Sequence, residues 1–309
     1  MTGGPVDLSI VLVNWNSLAL TTAAMSSVIE HTRGITYEII VVDNGSRDDS
    51  VAVLRARFAA TIRLIENPDN RGFSKANNQG LRVARGRYLV LLNNDTVQIG
   101  NALAEAVRYM DERRDVGALG IRHLNADESR SLQPSCFVFP DGWRDVLGVL
   151  GLKSGEPARR DPVLIECDVD WVCGSFLLVR RECLDAVGLL DERFFIYDED
   201  IDWCRRAWAA GWKVRFWPGV AMIHLGAAAR PYMRDKTFVH FRSRLSYIAK
   251  HRSKLAAVLY YVAMSARLAG ATAVQLIRFA TGRAGAPEVG NRWRRQMQFL
   301  LLSPGSRGG

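Results

Sequence analysis

Short β-branched runs alternate with longer segments of helical period through the first third of this chain, and that alternation restricts the fold more than any other feature. Strand-length apolar runs at residues 8–13, 38–42, 61–65 and 88–92 are separated by helical patterns at 19–30, 48–58 and 74–84, and a helix at 102–113 leads to a further strand at 116–121. Parallel neighbours need a crossover connection, usually a helix that covers the sheet. The expectation is an α/β fold, Rossmann-like, with a mostly parallel sheet flanked by helices.

Ligands of open α/β sheets gather beyond the carboxyl ends of the strands. Polar residues cluster there three times: Val13-Asn14-Trp15-Asn16, Val42-Asp43-Asn44-Gly45-Ser46 and Leu92-Asn93-Asn94-Asp95-Thr96. Any one of these reads equally well as turn chemistry, but three in succession point to a site. Neither glycine-rich phosphate motif, G-x-G-x-x-G or G-x-x-x-x-G-K-[ST], is present. A diphosphate would then be neutralised most economically by a divalent metal on a carboxylate, and Asp95 directly follows an apolar strand.

A second cluster places Asp198, Glu199, Asp200 and Asp202 within five positions after the aromatic run Phe194-Phe195-Ile196-Tyr197. Acids at a helix N-terminus account for Asp198 and Glu199 but do not require four. Like charges this close raise one another's pKa, which makes a carboxylate a competent general base near neutrality. His224 ends an apolar run, where a core histidine and a metal ligand are both open readings. Trp203, Trp208, Trp212 and Trp217 are expected mostly in the core, with one or two at most stacking on a sugar.

Residues 122–170 show little periodicity and read as loops and short strands suited to binding an acceptor. Order returns with strands at 175–179, 213–217 and 220–224 and helices at 182–186 and 200–210. From Met233 the pattern is helical and basic, broken only at 282–290. The expected division is residues 1–230 as the α/β domain and 231–309 as a basic α-helical C-terminal extension.

Charge supports that division. Residues 230–309 hold 15 of the 41 Lys and Arg but only Asp235 and Glu288 of the 32 acids, a net +13, against −4 for residues 1–229. Arg242, Arg244, Lys250, Arg252 and Lys254 precede an apolar stretch at 255–280 that Arg267 and Arg278 interrupt, a pattern that favours a helix lying in an anionic membrane surface over one that spans it. Five cysteines in no metal-ligand spacing, and no basic-then-apolar leader, fit a reducing cytoplasm.

Taken jointly, several motifs resemble the inverting family 2 glycosyltransferases with a GT-A fold, particularly the bacterial rhamnosyltransferase-like branch. They are Val13-Asn14-Trp15-Asn16, Val41-Val42-Asp43-Asn44-Gly45-Ser46, Asn70-Arg71-Gly72-Phe73 with Asn77-Asn78, Leu91-Leu92-Asn93-Asn94-Asp95, Trp171-Val172-Cys173-Gly174-Ser175, Asp191-Glu192-Arg193-Phe194-Phe195 and Glu199-Asp200-Ile201-Asp202, within residues 8–226. The resemblance implies a nucleotide-diphosphate sugar as donor, a divalent metal (Mg²⁺ or Mn²⁺) as cofactor, and a glycan or lipid-linked acceptor. Asp43 would read the donor base with Asn14, Asn16 and Asn44, and Gly72 to Asn78, Asn77 included, would line the nucleotide-sugar pocket. The family's D-x-D falls on Asn93-Asn94-Asp95, whose first position departs to Asn. Asp95 and His224 would hold the metal, Asp200 beside Glu199 would be the base, and Trp171, Gly174, Ser175 and Asp198 would border the acceptor or sugar.

The first expectation is rhamnose from dTDP-rhamnose, used in cell-envelope polysaccharide synthesis by a cytoplasmic enzyme peripheral to the inner face of the membrane. A UDP-hexose or UDP-galactofuranose donor is the rival within the class. Outside it stand a non-catalytic scaffold, against which Asp43, Asp95 and Asp200 argue, and a nucleic-acid binder, for which no recognition motif exists. No nucleic acid is expected as a partner.

Overall fold

The computed structural model describes residues 5–140, 142–149, 164–226 and 236–281. Among them the chain runs β1 (Leu8–Asn14), α1 (Leu18–His31), β2 (Tyr37–Asp43), α2 (Ser50–Phe58), β3 (Ile62–Glu66), α3 (Phe73–Val83), β4 (Tyr88–Leu92), β5 (Thr96–Gln98), α4 (Ala102–Glu112) and β6 (Val116–Leu124). It continues through β7 (Leu132–Gln133), β8 (Cys136–Phe137), α5 (Gly142–Val149), β9 (Cys167–Asp168), β10 (Trp171–Val172), β11 (Phe176–Arg180), α6 (Arg181–Val187), α7 (Glu199–Ala209) and β12 (Lys213–His224), and then α8 (Lys236–His251) and α9 (Lys254–Ala280).

The main sheet has the order β3-β2-β1-β4-β11-β6-β12-β5. β1 pairs in parallel with β2 and β4, β2 with β3, and β6 with β12, whereas β11 lies antiparallel between β4 and β6. Alternate residues explain why the central strands are apolar throughout. Ile10, Leu12, Val90 and Leu92 join one core with α1 and α4, while Val11, Leu89 and Leu91 join the other with α3, α6 and α7. α3 lies so close to β1 that a Cβ on Gly80 would sit 2.4 Å from Val11 Cγ1. The order reverses between β1 and β4, which makes the carboxyl ends of β1, β2 and β4 the expected place for a ligand.

Four local features differ from the sequence reading. Residues 142–149, inside the stretch expected as loops and short strands, form the helix α5. Thr96–Gln98, assigned to no element from the sequence, is a strand antiparallel to β12. The two strands expected at 213–217 and 220–224 form one, with a register shift between Trp217 and Ala221 where Pro218 has no N–H to give the ladder. The basic helical region breaks at Ser253, whose backbone is extended and whose Oγ accepts the Ala256 N–H, so it caps α9. The break expected at 282–290 lies outside the described residues.

Trp203 lies in the core, and Trp208, Trp212 and Trp217 are partly buried and pack against it. Trp203 Nε1 donates to Gly188 O and Trp208 Nε1 to Val169 O; Trp217 stacks on Tyr109 at 4.6 Å, and Trp212 packs against the second core.

The described residues form two compact units, with α5, α8 and α9 making up the second. Within it Phe241 stacks on Tyr260 at 4.9 Å, and Arg267 donates to Val149 O at 2.9 Å at the carboxyl end of α5. That contact stabilises carbonyls with no partner in the helix and explains one charge that interrupts the apolar run. α9 is long and apolar enough to cross a membrane by length and composition. It exposes Leu255, Val258, Leu259 and Val262 at one end and Val274, Leu276, Ile277 and Phe279 at the other.

Candidate active site

One hydrogen-bond network joins the carboxyl ends of β1, β2 and β4. Asn14 Nδ2 donates to Asp43 Oδ2 at 2.8 Å and to Ser46 Oγ at 3.1 Å, and Asn14 Oδ1 accepts from Thr21 Oγ1 at 2.6 Å. Asn94 Nδ2 donates in turn to Thr21 Oγ1 at 2.9 Å. Asp43 Oδ1 accepts the Ser46 N–H, so the carboxylate is oriented by two donors while nearly fully buried. Asn16 takes a left-handed conformation at φ 49°, its Oδ1 accepting from Arg47 N.

Asn44, expected beside Asp43 on the base, and the expected pocket-lining residues after β3 do different work. Asn44 is consumed by the loop: its Nδ2 donates to Asn70 Oδ1 and Gly72 O, and its Oδ1 accepts from Asn67 Nδ2 and Arg71 N. Gly72 begins α3 at φ 85°, and a Cβ there would lie 2.6 Å from Phe195 O. Asn77 donates to Phe73 O in its own helix, and Asn78 ties α3 to Leu190 and Glu192. These residues shape the floor and bring the 190–195 segment against it.

Two successive non-glycine residues, Tyr197 (φ 72°) and Asp198 (φ 66°), occupy the left-handed region directly before α7. Such strain is retained where the surroundings over-determine it, commonly at functional sites. The four acids then divide. Asp202 is fully buried and paired with Arg206 at 2.9 Å, and Arg206 also donates to Val187 O and Leu189 O, so this pair is architectural. Asp198 is buried at the helix start, where its side chain makes no capping bond. Asp200 stays partly exposed; its Oδ2 accepts the Gly174 N–H at 2.8 Å and its Oδ1 the Ile201 N–H at 2.8 Å. Burial raises its carboxyl to about 6 against the pull of these donors. Glu199 is buried with Oε2 unpartnered, and burial followed by the Asp200 charge pushes it well above the usual carboxylate range.

Asp95 and His224 meet where β5 pairs with β12. Asp95 Oδ1 lies 3.3 Å from His224 Nε2, and the backbone closes the contact through Leu225 N to Asp95 O at 2.9 Å. His224 Nδ1 faces Gln133 Oε1 at 2.5 Å. Behind it sits His123, edge-on to His224 at 5.7 Å, with Nδ1 3.4 Å from Ser175 Oγ and a pKa that burial lowers to about 3. A carboxylate oxygen and an imidazole nitrogen converging this closely suit a divalent cation. No third His, Cys, Asp or Glu joins them among the described residues, which leaves further positions to ligand oxygens or water. Asn93 Oδ1 is buried with no partner at the same strand end.

The turn at 173–175 links the two clusters. Ser175 O accepts the Asn93 N–H at 3.1 Å, and the preceding residue, Gly174, donates to Asp200. Beside it Trp171 stacks on Phe137 at 4.4 Å, with its Nε1 donating to Val138 O. Sequence reasoning missed Thr21, Ser46, His123 and Gln133. Ser46 closes a quoted motif and was within reach, whereas Thr21 looks like any residue of a first helical turn, and His123 and Gln133 lie at the edge of the unpatterned stretch.

Comparison with known proteins identifies the family and the fold. Residues 9–188 match the family model described as Glycosyl transferase family 2. Rhamnosyltransferase WbbL of Escherichia coli (strain K12) is 29% identical over 226 residues, covering 70% of this chain and 83% of that protein. The N-acetylglucosaminyl-diphospho-decaprenol L-rhamnosyltransferase of Mycobacterium tuberculosis (strain ATCC 25618 / H37Rv) is 30% identical over 207 residues, 60% of this chain and 66% of that one. Among solved structures, the mannosyltransferase PcManGT from Pyrobaculum calidifontis, in complex with GDP-Man and Mn²⁺, superposes with a TM-score of 0.56 at 18% identity over 96% of this chain and 86% of its own. GalNAc-T7 with UDP, GalNAc and Mn²⁺ gives 0.55 at 18% over 72% and 44%. The fold is GT-A, with the C-terminal helices added.

Proposed function

From a chain that belongs to glycosyl transferase family 2, and is a rhamnosyltransferase-like glycosyltransferase, we propose an inverting transfer of rhamnose from dTDP-rhamnose to a hydroxyl of a glycan or lipid-linked acceptor in cell-envelope polysaccharide synthesis. The observation that carries the reading is the 173–175 turn, which holds Asp200 through Gly174 and the Asn93–Asp95 loop through Ser175. A base and a diphosphate-binding end are thus fixed to one three-residue segment.

In this reading Asn14, Asn16 and Asp43 recognise the base, and the free acceptor Asn93 Oδ1 takes a donor hydroxyl. Asp95 and His224 hold a divalent cation, which when bound supplies positive charge to the departing diphosphate. Asp200 takes the proton from the acceptor hydroxyl as that oxygen bonds the anomeric carbon. The carbon–oxygen bond to the diphosphate breaks with its electron pair going to the diphosphate, and the configuration inverts. Trp171 with Phe137 offers a flat face for an acceptor ring. The rhamnose assignment rests on the rhamnosyltransferase relatives, and the lipid-linked acceptor on the mycobacterial one. The membrane-peripheral placement rests on the basic helices and the exposed apolar side chains of α9.

A thermal-shift panel of dTDP, UDP, GDP and CDP with and without Mn²⁺ tests the reading, since a ligand bound only by the native state raises its stability. A Mn²⁺-dependent rise largest for dTDP is expected. A rise for UDP instead moves the donor to a UDP sugar, and no rise with any nucleotide overturns the transferase assignment of this site.

A further inference from the structure

Residues of the turn between β6 and β7, together with Gln133 of β7, form a directed chain of hydrogen bonds that terminates on His224. The carboxylate of Asp127 can only accept, so the Ser131 hydroxyl, which bonds it, must donate its single proton there. Ser131 Oγ is then an acceptor, for Asn125 Nδ2 at 3.0 Å. That orients the Asn125 amide with Oδ1 outward, where it accepts from Gln133 Nε2 at 3.0 Å. The Gln133 amide is thereby fixed with Oε1 toward His224 Nδ1 at 2.5 Å. An amide oxygen accepts only, so a ring proton sits on Nδ1, which leaves Nε2 as the nitrogen facing Asp95 Oδ1 3.3 Å away.

We propose that Gln133 is a positioning residue for divalent-cation binding: it holds His224 in the one tautomer whose Nε2 can share a cation with Asp95. The proposal rests on the reading that Asp95 and His224 hold that cation. The ladder supports the placement, because β6 pairs His123 with Gln133 on one side while its other neighbour, β12, pairs Met222 with the same His123. Gln133 and His224 therefore approach from strands flanking a common one. Outer partners that fix a ligand imidazole in this way typically change metal affinity by about 10–100-fold when removed.

Mn²⁺ alone, titrated into the full chain and followed by water-proton relaxation, provides the test. Gln133→Met, close in shape but with no acceptor, is expected to weaken Mn²⁺ binding by about 10–100-fold. Gln133→Glu restores an acceptor at the same place and is expected to stay within about threefold of wild type. His224→Ala tests the underlying reading separately. If it leaves Mn²⁺ binding unchanged, the metal assignment fails; if it weakens binding while Gln133→Met does not, only the role of Gln133 fails. A loss in Gln133→Glu as large as in Gln133→Met overturns the proposal, because packing and not the acceptor would then matter. Nitrogen-15 shifts of His224 in the unsubstituted protein give a readout independent of folding effects: Nδ1–H is expected, and an Nε2–H tautomer overturns the proposal.

Discussion

Gly174 donates its backbone N–H to Asp200 Oδ2 at 2.8 Å, across 26 residues of sequence. The bond holds a partly exposed carboxylate at the start of α7, while burial keeps that carboxyl near 6. Both effects act on one group in opposite directions, and their balance leaves Asp200 ionised at neutral pH yet basic enough to take a proton.

Asp200→Asn is expected to lower kcat by about 10²–10⁴-fold. In the unsubstituted enzyme the competent form is the deprotonated one, so kcat/KM for the acceptor should fall as pH drops through about 6. The stability sign is opposite. A carboxyl raised in the folded state favours folding below its unfolded pKa, and that contribution is lost as pH rises through about 6. At pH 7.5 the Asn variant is relieved of the buried charge but keeps only one accepting oxygen for the Gly174 and Ile201 N–H groups, so it should melt within about 2–4 °C of wild type. A pH–rate profile and a melting curve check both halves.

Glu199→Gln separates the two neighbouring acids. Glu199 is buried, unpartnered at Oε2 and pushed toward its neutral form, so an uncharged isostere changes little. Activity should stay within about tenfold and the acid limb should remain near that of wild type. An inactive Glu199→Gln beside an active Asp200→Asn would transfer the base role to Glu199.

Gly72→Ala is expected to destabilise the protein by about 2–4 kcal/mol. The position has φ 85°, and the added Cβ would lie 2.6 Å from Phe195 O and 2.7 Å from its ring. Denaturant midpoints report the loss, and KM for the donor should rise if Gly72 lines the proposed nucleotide pocket. An unchanged midpoint would contradict the close approach.

Residues 236–281 carry eight Lys and Arg and no Asp or Glu, and α9 exposes Leu255 at 68% and Ile277 at 64%. The protein is expected to float with phosphatidylglycerol vesicles and not with phosphatidylcholine ones, each basic residue near the surface contributing about 1 kcal/mol. Leu255→Asp with Val262→Asp should weaken flotation. Equal recovery with both lipids, or with neither, would remove the membrane from the account.

Local pattern revealed most of the first unit. β1, β2 and β4 were legible because strands buried on both faces are nearly continuously apolar, and the edge strand β3, which carries Arg63 and Glu66, because its β-branched residues lie between two helical segments. β5 was not legible: Thr96–Gln98 is three residues long and becomes a strand only because β12 offers an edge. The four acids at 198–202 were visible as a cluster, but nothing local distinguishes Asp202, neutralised by Arg206, from Asp200, which remains open.

The sequence by itself determined the α/β order, the polar strand ends and the acidic segment, since each depends on residues within a few positions of one another. Only the tertiary structure decided which polar residues face one another. Asp95 and His224 are 129 positions apart, and Gln133 lies 91 positions from His224 in a stretch without period. Their meeting depends on strand pairing across the sheet, and the direction of each proton in that chain depends on which neighbours can only accept.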